Sequence, residues 1–157
     1  MNRRVEAFDP AQFTPPLDSV PTPVNIDDGI PFVSAQVGSS TGDNFLLDTT
    51  SPFTVIYPSF ALDHPEDVED QGRGKGISFL FKDSGMKATE LKSLTFGGAR
   101  FEEWLAFAID NADDYEGVTA DGVIGCDFLQ YFDVYFDYGH HLVYLEPNAT
   151  FKRAAHH

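Results

Sequence analysis

Phe45-Leu46-Leu47-Asp48-Thr49-Thr50-Ser51-Pro52 places a carboxylate directly behind three apolar residues. Such a run reads as a short, fully apolar strand ending in an acid, and an acid there is costly to bury without a partner. Taken alone, it fits an Asp that ends a strand and caps the following turn. A second stretch gives it more weight: Asp121-Gly122-Val123-Ile124-Gly125-Cys126-Asp127-Phe128-Leu129. This is followed by Phe132-Asp133-Val134-Tyr135-Phe136-Asp137-Tyr138 and then by Leu142-Val143-Tyr144-Leu145-Glu146-Pro147.

Around these runs the signals are mostly those of strands. Ile30 to Val37 alternates apolar with small or polar residues, and Gly38 to Gly42 reads as a turn. Thr54 to Tyr57, Ile77 to Phe81, Ala88 to Phe96, Ala99 to Ile109 and Val134 to Leu145 read as further strands, with Gly97-Gly98 as a two-residue hairpin turn. Leu62 to Gly76 is acidic and then glycine-rich, as suits an exposed loop or hairpin. Only Asp127 to Phe132 fits a short helix, with Phe128, Leu129 and Phe132 on one face and Asp127 in the first turn. Short strands and almost no helix predict an all-β fold, a small barrel or sandwich, closed or partly open. Pro10, Pro15, Pro16, Pro21 and Pro23 mark residues 1–26 as an extended arm. The domain then spans 27–148, and residues 149–157 form a tail whose end, Ala154-Ala155-His156-His157, resembles a purification tag.

Composition excludes several classes. The chain has 157 residues and a formal net charge of -15, with 25 acidic against 10 basic residues. That charge repels phosphate backbones, so nucleic acid is not expected as a partner. Fifteen Phe, six Tyr and one Trp supply the apolar area of a real core, against a disordered acidic chain. No apolar run reaches the roughly 18 residues of a membrane span. Met1-Asn2-Arg3-Arg4 leads into polar and acidic residues, so no signal peptide is expected in this sequence. The compartment stays open, a bacterial periplasmic or secreted site being one reading if a leader has been removed. Cys126 is the single cysteine, which excludes an intrachain disulfide and a Cys-based zinc site; it reads as a small buried apolar residue.

Taken together, the two motif stretches resemble the retropepsin-like aspartic proteases, in particular the bacterial aspartyl protease domains related to retroviral protease. The resemblance runs from about residue 30 to 147. In that family a strand ends in Asp-Thr-Gly, and later two apolar residues and a Gly precede a short helix and a closing strand pair. It implies a small acid-protease barrel with one short helix and Asp48 as the catalytic residue. It also implies an active-site loop of Thr49, Thr50 and Ser51, and loop support from Val123, Ile124 and Gly125. Gly125 would allow close backbone approach beside the Asp48 loop, where a Cβ would clash. Gly74, Lys75 and Gly76 fall where the family has a flap over the substrate, although Gly72 to Gly76 reads equally well as a solvent loop. No cofactor or metal is implied. The chemistry needs two facing aspartates that share one proton and polarise a water for attack on a peptide carbonyl. This chain supplies one such Asp. Asp83-Ser84-Gly85 lacks its own Val-Ile-Gly partner run and reads as a hairpin turn. The resemblance therefore implies a homodimer or a second lobe of a longer protein, with a peptide or protein as substrate.

One position departs from the pattern. Thr50 stands where the family has Gly, and a β-branched residue suits a strained or left-handed turn poorly. Two readings follow: an aspartic-type endopeptidase with altered loop geometry, or a catalytically degenerate domain that binds peptides or mediates assembly. A small-ligand β-barrel fits the composition but explains neither motif. Other candidates are weaker. His64, His140 and His141 lack metal-ligand spacing. Asp110 to Gly117 departs from a calcium loop at Ala112 and Tyr115. Asn148-Ala149-Thr150 is a glycosylation sequon, meaningful only in a secreted eukaryotic protein.

Overall fold

The structure, a computed structural model, describes residues 5–9, 11–69, 85–109 and 120–154. The strands are β1 (Thr22–Asp27), β2 (Ile30–Val37), β3 (Ser40–Leu47), β4 (Val55–Ile56), β5 (Val68–Glu69), β6 (Met86–Phe96), β7 (Ala99–Ile109), β8 (Gly122–Ile124), β9 (Phe132–Asp137) and β10 (Leu142–Pro147). Three short helices accompany them among the described residues: α1 (Pro58–Asp63), α2 (Cys126–Leu129) and α3 (Ala149–Ala154). The predicted strand at 77–81, the glycines and lysine at 74–76, Asp83-Ser84 and the acidic run 110–117 lie outside the described residues.

The strands form one sheet in the order β5-β6-β7-β4-β8-β3-β2-β1-β10-β9. A further antiparallel pairing, Gln36 with Thr95 and Val37 with Leu94, joins β2 to β6 and bends the sheet into a ring. The all-β expectation holds, and β1, β10 and β9 continue outward from β2. Inside the ring lie Val37, Phe45, Ile56, Leu91, Leu94, Ala106 and Ile124, each fully buried. Chain reversals follow backbone chemistry. Gly97 and Gly98, at φ +58° and +81°, turn β6 into β7 as a two-residue loop with both centres left-handed requires. Asp28 and Gly29, at φ +47° and +82°, do the same between β1 and β2.

The ends of the domain differ from the sequence reading. Residues 22–26, read as arm, belong to β1, because Val24 is buried and pairs with Val33 while Thr22 pairs with Val143. β3 begins at Ser40, so the turn read over Gly38 to Gly42 shortens to Gly38-Ser39. α1 was not foreseen; Pro58 sits in its first turn, where the missing N–H costs nothing, and Phe60 plugs the core against Phe45 at 5.5 Å. In the segment read as tail, α3 packs Phe151 against Phe132 and Phe101. Asn148 caps that helix, its Oδ1 accepting from the Thr150 and Phe151 amides at 2.8 and 3.3 Å. Its Nδ2, the atom a glycan would need, donates to the Gln130 carbonyl at 2.9 Å.

The acidic stretch read as exposed contains one acid that is not. Asp67 is 2% exposed. Its Oδ2 accepts from the Ser39 amide at 3.1 Å, the Ser39 hydroxyl at 3.0 Å and the Ser40 hydroxyl at 2.8 Å, with Lys92 Nζ 3.9 Å from Oδ1. Burial alone would push this carboxyl up, but the Ser40 and Ser39 hydrogen bonds and the Lys92 charge hold it below its ordinary value. Asp67 thus pins the β2–β3 turn to β5 and β6. Asp67→Ala is expected to cost about 1–3 kcal/mol at pH 7. Because the folded-state acid is held low, that stabilisation is present above about pH 4 and is lost as pH falls through the folded-state value. Urea denaturation of both proteins between neutral and acidic pH checks this; a gap that widened on acidification would contradict it.

Candidate active site

β8 lies between β3 and β4, parallel to β3 (Leu46 with Val123, Leu47 with Ile124) and antiparallel to β4 (Val55 with Val123). The loop from Asp48 to Thr54 therefore passes around the end of β8, where the chain leaves the sheet to enter α2. The two segments are stitched together. The Asp48 amide donates to the Ile124 carbonyl at 3.1 Å, and the Cys126 amide donates to the Ser51 carbonyl at 2.8 Å. Gly125 sits at the crossing: a Cβ there would lie 2.3 Å from the Phe53 carbonyl oxygen and 3.0 Å from that of Ser51. No L side chain fits such a gap without moving backbone. Of the expected support residues, Val123 and Ile124 are buried strand residues and Gly125 makes this close approach to the loop.

Asp48 is half-buried at the mouth of the loop, while Thr49 and Thr50 are exposed. Asp48 Oδ1 accepts from the Thr50 amide and from the Thr50 hydroxyl, both at 2.7 Å. Oδ2 has no protein partner among the described residues. Thr50 is not in the left-handed region, where the non-glycine residues among those described are Asp18, Asp28, Glu103 and His141. The strain expected at Thr50 is absent, because this loop does not use the conformation that only Gly adopts freely. Ser51 faces inward, its hydroxyl donating to the Phe53 carbonyl at 2.8 Å.

Two supporting contacts were not foreseen. Thr54, fully buried, donates its hydroxyl to Asp127 Oδ1 at 2.9 Å, and the Phe128 amide donates to the same oxygen at 2.9 Å. Asp127 thus ties the far end of the loop to α2. Burial pushes its carboxyl above the ordinary value, and the hydrogen bonds from Thr54 and Phe128 offset this only in part. Cys126, read as a buried apolar residue, is half-buried and donates its thiol to the Thr49 carbonyl at 2.8 Å. The signal for both contacts was the phase of residues 126–128 against the loop, which only the crossing at Gly125 fixes. The remaining candidates stand apart. His140 and His141 occupy the β9–β10 turn, not a strand, with His140 Nδ1 2.7 Å from Asp137 Oδ2. His64 ends α1 against the Phe60 ring.

No family model matches the chain, and no curated protein matches it in sequence. Solved structures do match. The chain is similar to a retropepsin-like aspartic protease from Rickettsia conorii, with a TM-score of 0.54 and 15% identity, over 81% of this chain and 88% of that one. It is also similar to the retroviral protease-like domain of Ddi1 from Leishmania major, with a TM-score of 0.47 and 14% identity, over 75% of this chain and 94% of that one. The chain has the retropepsin-like fold, as the motif resemblance implied.

Gly125→Ala is expected to destabilise the fold by about 1–3 kcal/mol, since the added Cβ meets backbone and not a side chain that can swing away. Asp127→Asn keeps an acceptor for Thr54 and Phe128 but removes a charge that burial disfavours. Its melting temperature is expected to exceed that of the wild type at pH 7. An acid held high when folded costs stability once pH rises past the unfolded value, so the advantage should vanish below about pH 4. Thermal melts across that range decide it, and an unchanged or lower midpoint at pH 7 would contradict the assignment.

Proposed function

We propose that the chain is an aspartic-type endopeptidase of retropepsin type, working as a homodimer or as one lobe of a longer protein, with Asp48 supplied once per copy. The observation that carries this reading is the Asp48 carboxylate itself. It stands at the end of β3, in a retropepsin-like fold, with Oδ1 held by Thr50 and Oδ2 without a protein partner among the described residues.

The chemistry follows from pairing two such groups. Two carboxylates brought close cannot both ionise easily, so the pair retains one proton. The ionised member takes a proton from water as the water oxygen bonds to the peptide carbonyl carbon, and the protonated member gives its proton to the carbonyl oxygen. The tetrahedral species then collapses: the carbon–nitrogen bond breaks and the amine leaves with a proton returned through the pair. A single chain holds half of this apparatus. A net charge of -15 on each copy opposes association near neutral pH, so salt or acid is expected to favour the paired state.

Cleavage of a peptide library by the wild type, its block by a pepstatin-type inhibitor and its loss in Asp48→Asn are the expected results. Full activity in Asp48→Asn would overturn the proposal. A wild type that stayed monomeric, cut nothing between about pH 3 and 8 and bound peptides as well as Asp48→Asn would instead support the non-catalytic peptide-binding or assembly domain.

A further inference from the structure

We infer that Thr50 is a positioning residue for Asp48, acting through its hydroxyl. The inference rests on the endopeptidase reading for its kinetic consequence, and on the loop geometry alone for its structural one.

A carboxylate on a short side chain rotates about χ2 unless something selects between its oxygens, and that torsion is broad. In this loop the selection comes from one residue. The Thr50 amide and the Thr50 hydroxyl both donate to Oδ1, each at 2.7 Å. The amide bond alone would be made by any residue at position 50 with this backbone, Gly included. The hydroxyl bond is a property of Ser or Thr, and in Thr the branched Cβ restricts χ1, so the donor is held at low entropic cost. Two short donors to one carboxylate oxygen make an arrangement in which Oδ1 is occupied and Oδ2 is without a partner among the described residues. Thr50 is exposed and makes no other hydrogen bond among the described residues, so its hydroxyl has no structural duty competing with this one.

The consequence for function is a division of labour within the carboxylate. In a paired site each Thr50 would fix Oδ1 of its own Asp48 and leave Oδ2 for the water and the opposite carboxyl. Misorientation of a reacting group by a fraction of a rotation lowers turnover more than it lowers binding, because substrate contacts elsewhere are untouched. Thr in place of Gly is then a replacement that adds a donor and not a loss of the site.

The test uses Thr50→Ser, Thr50→Val and Thr50→Gly in the full chain. Thr50→Ser is expected to keep wild-type kcat within a few-fold. Thr50→Val, which preserves shape and removes the donor, is expected to lower kcat about ten- to a hundredfold with little change in KM. Thr50→Gly is expected to fall with Val, although it restores the residue of the family's motif. Equal kcat in wild type and Thr50→Val, or higher kcat in Thr50→Gly, would overturn the inference. A second measurement needs no activity: three-bond couplings to the Thr50 methyl carbon by NMR report χ1. A single rotamer in the wild type that becomes averaged in Asp48→Ala supports the positioning contact. Averaging already present in the wild type overturns it, whether or not the protein cleaves peptides. A wild type that cleaves nothing but shows the locked rotamer would separate failure of the endopeptidase reading from failure of this one.

Discussion

The fold turns on a crossing of two backbones at Gly125. β8 lies between β3 and β4, so the loop joining those two strands must pass around the end of β8 at the point where the chain departs for α2. The carbonyls of Phe53 and Ser51 come so close to Gly125 that the space for a Cβ is already taken. That contact fixes the height of the loop above the sheet, and with it the position of Asp48, whose amide is held by the Ile124 carbonyl. Gly122 repeats the requirement lower on the same strand, where a Cβ would lie 2.2 Å from the Val55 carbonyl oxygen. β8 thus begins at one glycine and is followed by another, and both are needed for its neighbours to close on it.

Such a crossing is not stable by itself; it has to be pressed together from below. α2 is only four residues long, Cys126–Leu129, far too short to persist alone. It is held because Phe128 is fully buried, stacked on Phe132 at 5.4 Å and edge-on to Phe101 at 5.3 Å and Trp104 at 5.7 Å. Burying one such ring is worth about 1.5–3 kcal/mol. The aromatic wealth of the sequence is therefore concentrated under the site, where it clamps α2 and so keeps Asp127 in reach of Thr54. The β9–β10 hairpin and Phe151 of α3 close the same cluster from the far side.

This hierarchy explains which parts were legible from residues alone. The long alternating strands and the Gly97-Gly98 turn were readable because they obey local rules of period and handedness. Asp48 and the Val123-Ile124-Gly125 run were readable because a carboxylate behind three apolar residues and a glycine behind two are each odd enough to be noticed. β1 was hidden by two prolines in a segment otherwise lacking period, although Asp28-Gly29 was a hairpin signal as strong as any in the chain. α1 and α3 were hidden because a helix of six residues has hardly two turns in which to show a period. Asp67 was misjudged because composition describes a segment, whereas burial is decided by the two serines and the lysine that reach one residue from elsewhere in the chain. Thr54 and Cys126 were missed for a related reason: their partners are near in space and far in sequence, Asp127 for one and Thr49 for the other.

The same distinction settles what kind of departure Thr50 is. A motif glycine can be required for two different reasons: its backbone lies in the left-handed region, or the space beside it is occupied. Position 125 meets the second condition without ambiguity, since the obstructing atoms are backbone carbonyls that cannot rotate aside. Position 50 meets neither. Its backbone is not left-handed, and its side chain points to solvent far enough for the hydroxyl to turn back onto Asp48. The conformational freedom that makes Gly costly to order is then unused at position 50, and a β-branched residue there removes unfolded-state entropy while adding a donor. The strict demand of this loop falls on the partner strand, and the loop itself tolerates a side chain where the motif has none.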